Sequence, residues 1–202
     1  LTQLGYALGI FLLVPLGDKF DRRLLIAIKG LLLALLLALT ASSAQFSQLL
    51  WLSLMIGIAA TVAQDIVPAT AALASEHNRG QTVGFVMTGL LLGILLSRTV
   101  SGVISSHFSW QLLYQLAAIS VAISTVWVCG LLPKSTPAQP LAYPALMRSL
   151  LTLWQAYPAL RRAAVVQGLL HLGFAAFWTT LAPALATTYG LGSDIAGAFG
   201  LA

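Results

Sequence analysis

Residues 15–23 read Pro-Leu-Gly-Asp-Lys-Phe-Asp-Arg-Arg and carry five charged side chains, in a chain in which only 7% of the residues are charged. Two apolar runs, 1–16 and 24–39, flank this segment, which we call the charged turn. A polar turn of this kind cannot lie in hydrocarbon, where its backbone groups and charges would have no partners. The charged turn therefore indicates a membrane surface, and the layout of the remaining chain depends on the side of the bilayer that it faces.

The composition is that of a polytopic membrane protein with little soluble mass. Hydrophobic residues make up 59% of the 202 residues, and the mean hydropathy is +0.93. Soluble domains contain about 45–50% apolar and about 25% charged residues. The net charge of +5 lies mainly in short turns between apolar runs, which favours a role in membrane orientation and argues against nucleic-acid binding. The single cysteine, Cys129, excludes an intrachain disulfide and a metal site built from paired thiolates.

Six stretches are long and apolar enough to cross a membrane, which requires about 20 helical residues. They are 1–17, 24–42, 49–74, 82–104, 110–132 and 164–188, and a seventh begins near Asp194. Five of the connections between these stretches can hold only a turn, so consecutive helices are expected to be antiparallel neighbours. The sequence therefore predicts an all-α fold, a polytopic transmembrane helical bundle.

Lysines and arginines occupy every second connection. Eight of them lie in the first, third and fifth connections, with Lys29 just inside the second span, and none lies in the other three connections. Basic loops stay in the cytoplasm during membrane insertion. The sequence therefore predicts cytoplasmic connections at 18–23, 75–81 and 133–163, in a multi-pass protein of the plasma membrane, which in a bacterium is the inner membrane.

The fifth connection is longer than the others and rich in proline. Within it Leu146, Leu150, Trp154 and Tyr157 recur at helical spacing, which predicts an amphipathic helix on the cytoplasmic membrane surface. A long linker of this kind is expected where two transmembrane halves are joined. The predicted organisation is a transmembrane bundle, a cytoplasmic linker and the start of a second bundle, at 1–132, 133–163 and 164–202.

The charged turn, the loop lengths and the position of the linker together resemble the major facilitator superfamily of secondary transporters. The family pattern in the cytoplasmic turn after its second helix is G-x-L-a-D-r-x-G-r-k/r. The residues that match it here are Leu16, Asp18, Lys19, Arg22 and Arg23, while Val14 and Asp21 replace the two glycines. The resemblance is greatest to bacterial drug- or sugar-efflux members. It implies a fragment of a twelve-helix protein that covers helices 2–7 and the start of helix 8.

The resemblance implies a secondary transporter that moves a small solute by alternating access, with its site near the bilayer midplane. Proton-coupled efflux is the leading hypothesis, and uptake by a symporter or facilitator is the alternative. The competing classes are an intramembrane enzyme and a structural membrane protein. The sequence contains no catalytic motif, metal constellation or phosphate-binding loop that would support an enzyme, so we expect no cofactor. The expected partners are the bilayer, a small solute and protons, and the expected oligomeric state is a monomer.

The resemblance also implies that the charged turn is a conformational latch. In this interpretation Asp18, Arg22 and Glu76 form a carboxylate–arginine–carboxylate cluster that closes the cytoplasmic side in one state and opens in the other. The remaining basic residues of the predicted latch are Lys19, Arg23 and Arg79. The alternative is that the basic residues only hold their loops in the cytoplasm.

Asp65 and Arg98 lie within predicted spans, where each would cost about 2.5–3.5 kcal/mol at the bilayer centre, so both are expected to face a cavity. Asp65 shares a predicted polar stripe with Thr61, Gln64 and Pro68 at helical spacing. It is either a protonatable group in the transport path or a buried residue that bonds to a neighbouring helix or lies nearer the cytoplasmic surface. Direct pairing with Arg98 is not expected, because the two residues lie at different depths.

The span 164–188 carries Gln167, His171 and Trp178 on one helical face. In the family the corresponding helix lines the central cavity, so the resemblance implies a substrate or proton path through these residues, together with Gln64, Asp65 and Arg98. The alternative for His171 is a structural role. A separate ridge of small residues is predicted to pack against another helix and consists of Gly89, Gly93, Ser97 and Ser101.

Overall fold

The computed structural model describes residues 1–134 and 142–189. Within these ranges it contains eight α-helices, a 3-10 helix and a π-helical turn, and no β-strand. The α-helices are α1 (Thr2–Leu13), α2 (Arg22–Ala41), α3 (Phe46–Ala59), α4 (Val62–Leu73), α5 (Arg79–His107), α6 (Trp110–Leu131), α7 (Tyr143–Ala156) and α8 (Pro158–Ala184). The 3-10 helix, Val14–Asp18, extends α1, and the π-helical turn, Leu185–Tyr189, follows α8. The prediction of an all-α fold is confirmed.

Five helical segments of the described chain are long and apolar enough to cross a membrane. They are Arg22–Ala41, Phe46–Leu73, Arg79–His107, Trp110–Leu131 and Pro158–Leu181. The first predicted span corresponds to a shorter apolar helix, Thr2–Asp18. The seventh predicted span, from Asp194, lies outside the described residues. The helix predicted in the linker is present as α7, and its place on a membrane surface remains a prediction.

Three predicted spans differ from the structure by three or more residues at a boundary, among them 82–104, which is Arg79–His107 in the structure. The predicted span 49–74 begins at Phe46 and is interrupted by a turn at Ala60 and Thr61. The Thr61 hydroxyl donates a 2.8 Å hydrogen bond to the carbonyl of Ile58, a local bond of the kind that competes with regular helix. The span predicted to begin at 164 begins at Pro158, because proline is favoured in the first turn of a helix, where its missing N–H costs nothing.

The described chain forms two compact units, and α5 contributes to both. The first unit consists of Leu1–Gly93 and Phe108–Pro140, and the second of Ile94–His107 and Leu141–Ala202. In the first unit α2 packs most extensively against α6, and α1 packs against α3. The buried core of this unit is formed by Leu33, Leu36, Leu37, Ala59 and Ala118. In the second unit α7 contacts α8.

Glycines bring α1 and α3 into direct backbone contact. A Cβ added at Gly57 would overlap the carbonyl oxygen of Thr2, and one added at Gly5 would overlap the carbonyl oxygen of Leu54. Small residues allow membrane helices to approach this closely. The small-residue ridge predicted on α5 makes no such close contact within the described chain. A Cβ added at Gly89 or Gly93 would meet no heavy atom of the described chain within 4 Å. The hydroxyls of Ser97 and Ser101 bond to carbonyls of their own helix, those of Ile94 and Arg98.

The Gly57→Ala variant is expected to lower the stability of the protein by about 1–3 kcal/mol, the usual cost of overpacking. The added methyl group would meet backbone atoms of α1, which cannot move aside as a flexible side chain can. Thermal unfolding in detergent measures the effect. The matched control is Gly89→Ala, whose added methyl group has open space. Equal melting temperatures for the two variants would show that the close approach of α1 and α3 is not needed for stability.

Candidate functional site

The charged turn is formed by the end of α1 and the start of α2. At Val14 the chain changes to a 3-10 helix, and Pro15 in its first turn has no N–H to continue the α-helical pattern. Asp21 is the N-cap of α2, and its carboxylate accepts a 3.0 Å hydrogen bond from the backbone N–H of Arg23. Asp21, which stands where the family pattern has glycine, therefore helps to define where α2 begins.

Arg22 ties the two parts of the turn together. Its Nη2 donates to Asp18 Oδ1 at 3.1 Å, and its Nε donates to the carbonyl of Gly17 at 3.2 Å. The side chain of Arg22 is 25% exposed and that of Asp18 is 63% exposed. The guanidinium also lies at the C-terminal end of the 3-10 helix, where a cation interacts favourably with the helix dipole. The structure thus brings together two of the residues predicted to form the latch, Asp18 and Arg22.

The remaining predicted latch residues do not join this ion pair. The ammonium of Lys19 lies over the ring of Phe20, 5.3 Å from its centroid. Glu76 and Arg79 are exposed and form no ion pair within residues 1–134 and 142–189. The expected cluster of Asp18, Arg22 and Glu76 is therefore not formed in this structure, in which Glu76 lies beyond the end of α4 and is exposed.

A buried ion pair that the sequence analysis missed lies next to the charged turn. Lys29 Nζ donates to Asp65 Oδ2 at 2.7 Å and to the carbonyl of Leu13 at 3.3 Å. The Lys29 and Asp65 side chains are only 5% and 3% exposed. Charges buried to this degree must be paired and hydrogen-bonded to be tolerated. The pair joins α2 to α4 and to the end of α1, so three helical segments meet at one ammonium group.

The buried pair and the charged turn are neighbours in space. A Cβ added at Gly17 would lie 3.6 Å from Asp65 Oδ1 and 3.8 Å from Arg22 Nε. Lys29 follows Arg22 by seven residues, or roughly 10 Å along α2 at 1.5 Å per residue. Asp65 thus lies near Arg22, in the place that the resemblance assigned to Glu76.

The predicted polar stripe of α4 does not form a single face. Thr61 and Asp65 are buried together with Ala69, whereas Gln64 and Pro68 are exposed. Residues 61, 65 and 69, which are four positions apart, form the buried side of this segment. Residues 64 and 68 each precede a buried residue by one position and lie on the exposed side. Gln64 makes a different contact, since its Nε2 donates to the hydroxyl of Tyr6 at 2.8 Å.

Three predicted path residues lie close together in the second unit. The guanidinium carbon of Arg98 lies 3.9 Å from the ring centroid of Trp178 and 5.9 Å from that of Phe174. His171 lies 6.3 Å from Phe174, centroid to centroid. Gln167 is exposed and forms no hydrogen bond with the described residues. The sequence analysis missed Phe174, although its position between His171 and Trp178 on the same helical face was a usable signal.

The described residues offer two further observations about possible sites. No group of three or more histidine, cysteine, aspartate or glutamate side chains among them could hold a metal ion. A cavity of about 210 Å³ lies between α2, α4 and α6 in the first unit. Its walls are mainly apolar, and the residues that add hydroxyl groups to them are Ser120, Ser124 and Thr125.

Comparison with known proteins gives a consistent result along the whole chain. The family model of the Major Facilitator Superfamily matches residues 1–202. The uncharacterized transporter YgaY of Escherichia coli O157:H7 is 38% identical over 185 residues, which is 92% of this chain and 47% of YgaY. The probable transporter SCO4007 of Streptomyces coelicolor is 32% identical over 209 residues, which is 99% of this chain and 47% of SCO4007. A D-xylose transporter of Levilactobacillus brevis is 28% identical over 139 residues, which is 66% of this chain and 29% of that transporter. The chain thus spans about half the length of the first two relatives.

Proposed function

Since this chain belongs to the major facilitator superfamily, we propose that it is a secondary transporter, not an enzyme, and that it exports a small solute by alternating access coupled to protons. The transported solute and the coupling ion are part of the proposal, as are a monomeric state and a location in the bacterial inner membrane. The proposal places the basic connections in the cytoplasm and keeps the organisation 1–132, 133–163 and 164–202.

The observation that carries this proposal is the buried Lys29–Asp65 pair beside the charged turn. A structural membrane protein has no need of two charges within its spans, where ionised groups are costly and usually mark ion or substrate paths. Asp65 is the only carboxylate in the described spans, and its partner is an ammonium group on another helix. Protonation of Asp65 would neutralise it and weaken its bond to Lys29, which supports protons as the coupling ion.

The contacts of Arg22 support a latch at the same end of the first unit. Arg22 holds the Asp18 carboxylate and the Gly17 carbonyl, while Lys29 holds the Leu13 carbonyl. All three acceptors belong to α1 and its 3-10 extension. We propose that these contacts hold the cytoplasmic side closed in one state, and that their release accompanies opening. Lys19, Arg23, Glu76 and Arg79 remain candidate members of the latch that this state does not engage.

Solute uptake is the second candidate function. The similarity to a protein named D-xylose transporter favours a sugar as one solute to test. The measurement that separates export from uptake is solute accumulation, because the two directions change it with opposite sign.

We expect cells that express the complete reading frame to accumulate less of at least one probe solute than vector controls. The probes are a neutral, a cationic and an anionic compound, namely radiolabelled D-xylose, ethidium and radiolabelled benzoate. A protonophore applied to both cell types should abolish the difference, because export against a gradient requires the proton gradient. Greater accumulation in expressing cells would favour uptake. A difference that survives the protonophore would contradict proton coupling, and the absence of any difference would contradict export of all three solute classes.

A further inference from the structure

We propose that Arg98 and the aromatic side chains of α8 form a binding site for an organic anion, a carboxylate attached to an aromatic or other flat apolar group. This inference rests on the proposed transport function and names the class of solute. The proposal follows from the position of Arg98, its lack of a carboxylate partner among the described residues, and the geometry of the rings around it.

Arg98 lies inside a helix that is long and apolar enough to cross a membrane. It precedes the last residue of α5, His107, by nine positions, which corresponds to roughly 13 Å of helix. A permanently charged guanidinium at such a depth is costly. Its contact with Trp178 offsets only part of this cost, because a cation–π interaction is weaker than a desolvated ion pair with two hydrogen bonds. The position of Arg98 therefore favours an additional anionic partner.

That partner is absent from the described side chains. Arg98 forms no ion pair there, and its guanidinium donates no hydrogen bond to another described residue. All four described carboxylates belong to the first unit, whereas Arg98 belongs to the second; they are Asp18, Asp21, Asp65 and Glu76. The fifth acidic residue of the sequence, Asp194, lies outside the described residues and is tested by the variant Asp194→Asn.

The guanidinium of Arg98 has donors available for an anion, since it forms no ion pair with the described side chains. Its central carbon lies over the Trp178 ring, 3.9 Å from the centroid, which is a cation–π contact. A guanidinium has five N–H donors in its own plane, in the fork that matches the two oxygens of a carboxylate. Trp178 is held edge-on by Phe174 and Phe177, at centroid distances of 6.1 and 5.4 Å. The geometry therefore presents a cation on a supported aromatic wall.

The exposed surfaces of the phenylalanines indicate what the anion carries. Phe174 is 48% exposed and Phe177 is 53% exposed, and His171 lies beside Phe174. A ring attached to the carboxylate would contact these surfaces by stacked or edge-to-face packing. An aromatic carboxylate thus uses both the cation and the wall, whereas a neutral amide of the same shape lacks the charge.

The test is binding of radiolabelled benzoate to the purified protein from the complete reading frame, measured by scintillation proximity. We expect saturable binding that acetate displaces less well than unlabelled benzoate and that benzamide does not displace. Arg98→Gln should weaken benzoate binding at least tenfold. Arg98→Lys keeps the positive charge but loses the planar pair of N–H donors, so it should weaken benzoate binding less than Arg98→Gln does. Residual binding by Arg98→Lys would show that loss of binding in Arg98→Gln is not caused by misfolding. The control Arg148→Gln removes an exposed arginine of α7 and should bind as the unchanged protein does.

Two results would overturn the anion site. One is equal benzoate binding by the unchanged protein and by Arg98→Gln. The other is binding that is absent from the unchanged protein but present in Asp194→Asn, which would show that Arg98 already has an internal carboxylate partner. Neither result bears on the proposed transport function, because the binding assay uses no gradient and the accumulation assay includes neutral and cationic solutes.

Discussion

The Lys29→Met variant is expected to lose about 3–5 kcal/mol of folding stability, the usual cost of removing one partner of a buried ion pair. Methionine fills a similar volume but leaves the Asp65 carboxylate, only 3% exposed, without its ammonium partner. The carbonyl of Leu13 also loses a donor. Denaturant titration of the purified protein in mixed micelles measures the change. The matched control is Lys134→Met, which replaces an exposed lysine and should change stability by less than about 0.5 kcal/mol.

A second variant separates stability from function. Lys29→Met combined with Asp65→Leu replaces the whole pair by apolar side chains, an exchange that is often neutral or stabilising. The double variant should therefore regain most of the stability that Lys29→Met loses. Its accumulation of the probe solutes should no longer respond to the protonophore, because the protonatable carboxylate is gone. If Lys29→Met is as stable as Lys134→Met, the pair does not hold the first unit together. If the double variant keeps its response to the protonophore, Asp65 is not the coupling group.

The sequence predicted the helices well because hydrophobic length alone identifies most spans. The charged turn marked the boundary between the first two apolar runs. The helical spacing of Leu146, Leu150 and Trp154 predicted α7. The contacts between helices were harder to predict, because a helical period shows which residues share a face but not which faces meet. Lys29 and Asp65 are 36 residues apart, and only the packing of α2 on α4 brings them together.

The candidate site shows the same division. The pairing of Asp18 with Arg22 is local, four residues along the chain, and the family pattern indicated it. The resemblance implied Glu76 as the other carboxylate of the latch, whereas the structure places Asp65, on the buried side of α4, next to Gly17 and Arg22. The sequence also contained a signal for Lys29 as a site residue. Lys29 lies seven residues after Arg22, on the same face of α2, and inside an apolar span where its ammonium group needs a partner.

Replacing Arg22 with glutamine is expected to open the cytoplasmic end of the first unit. Arg22 makes two hydrogen bonds, one to a carboxylate and one to a carbonyl. Hydrogen bonds to charged groups contribute about 1.5–3 kcal/mol, which corresponds to a roughly 10- to 150-fold change in population. Asp18→Asn removes only an ion pair in which Asp18 itself is 63% exposed, worth about 0.2–1 kcal/mol, so its effect should not exceed roughly fivefold. Arg22→Gln is therefore expected to increase the population of the open state more than Asp18→Asn does.

Position 69 provides a sensor for this opening. Ala69 is 5% exposed and lines a cavity of about 40 Å³ together with Arg22 and Arg23, which leaves room for a sulfur atom. Cys129 is the only cysteine of the sequence, so Cys129→Ser supplies a background for a single thiol at this position. Arg23→Gln is the matched control, because it removes a similar side chain from the same cavity without removing the contacts to Gly17 and Asp18.

The decisive measurement is the rate at which a membrane-impermeant maleimide labels Ala69→Cys in inside-out vesicles. Lys134→Cys, on an exposed connection, should label rapidly in these vesicles and not in intact cells, which checks the predicted orientation. We expect slow labelling at position 69 in the unchanged turn and in Arg23→Gln, and labelling at least tenfold faster in Arg22→Gln. Equal rates at position 69 with and without Arg22 would contradict a latch at the charged turn.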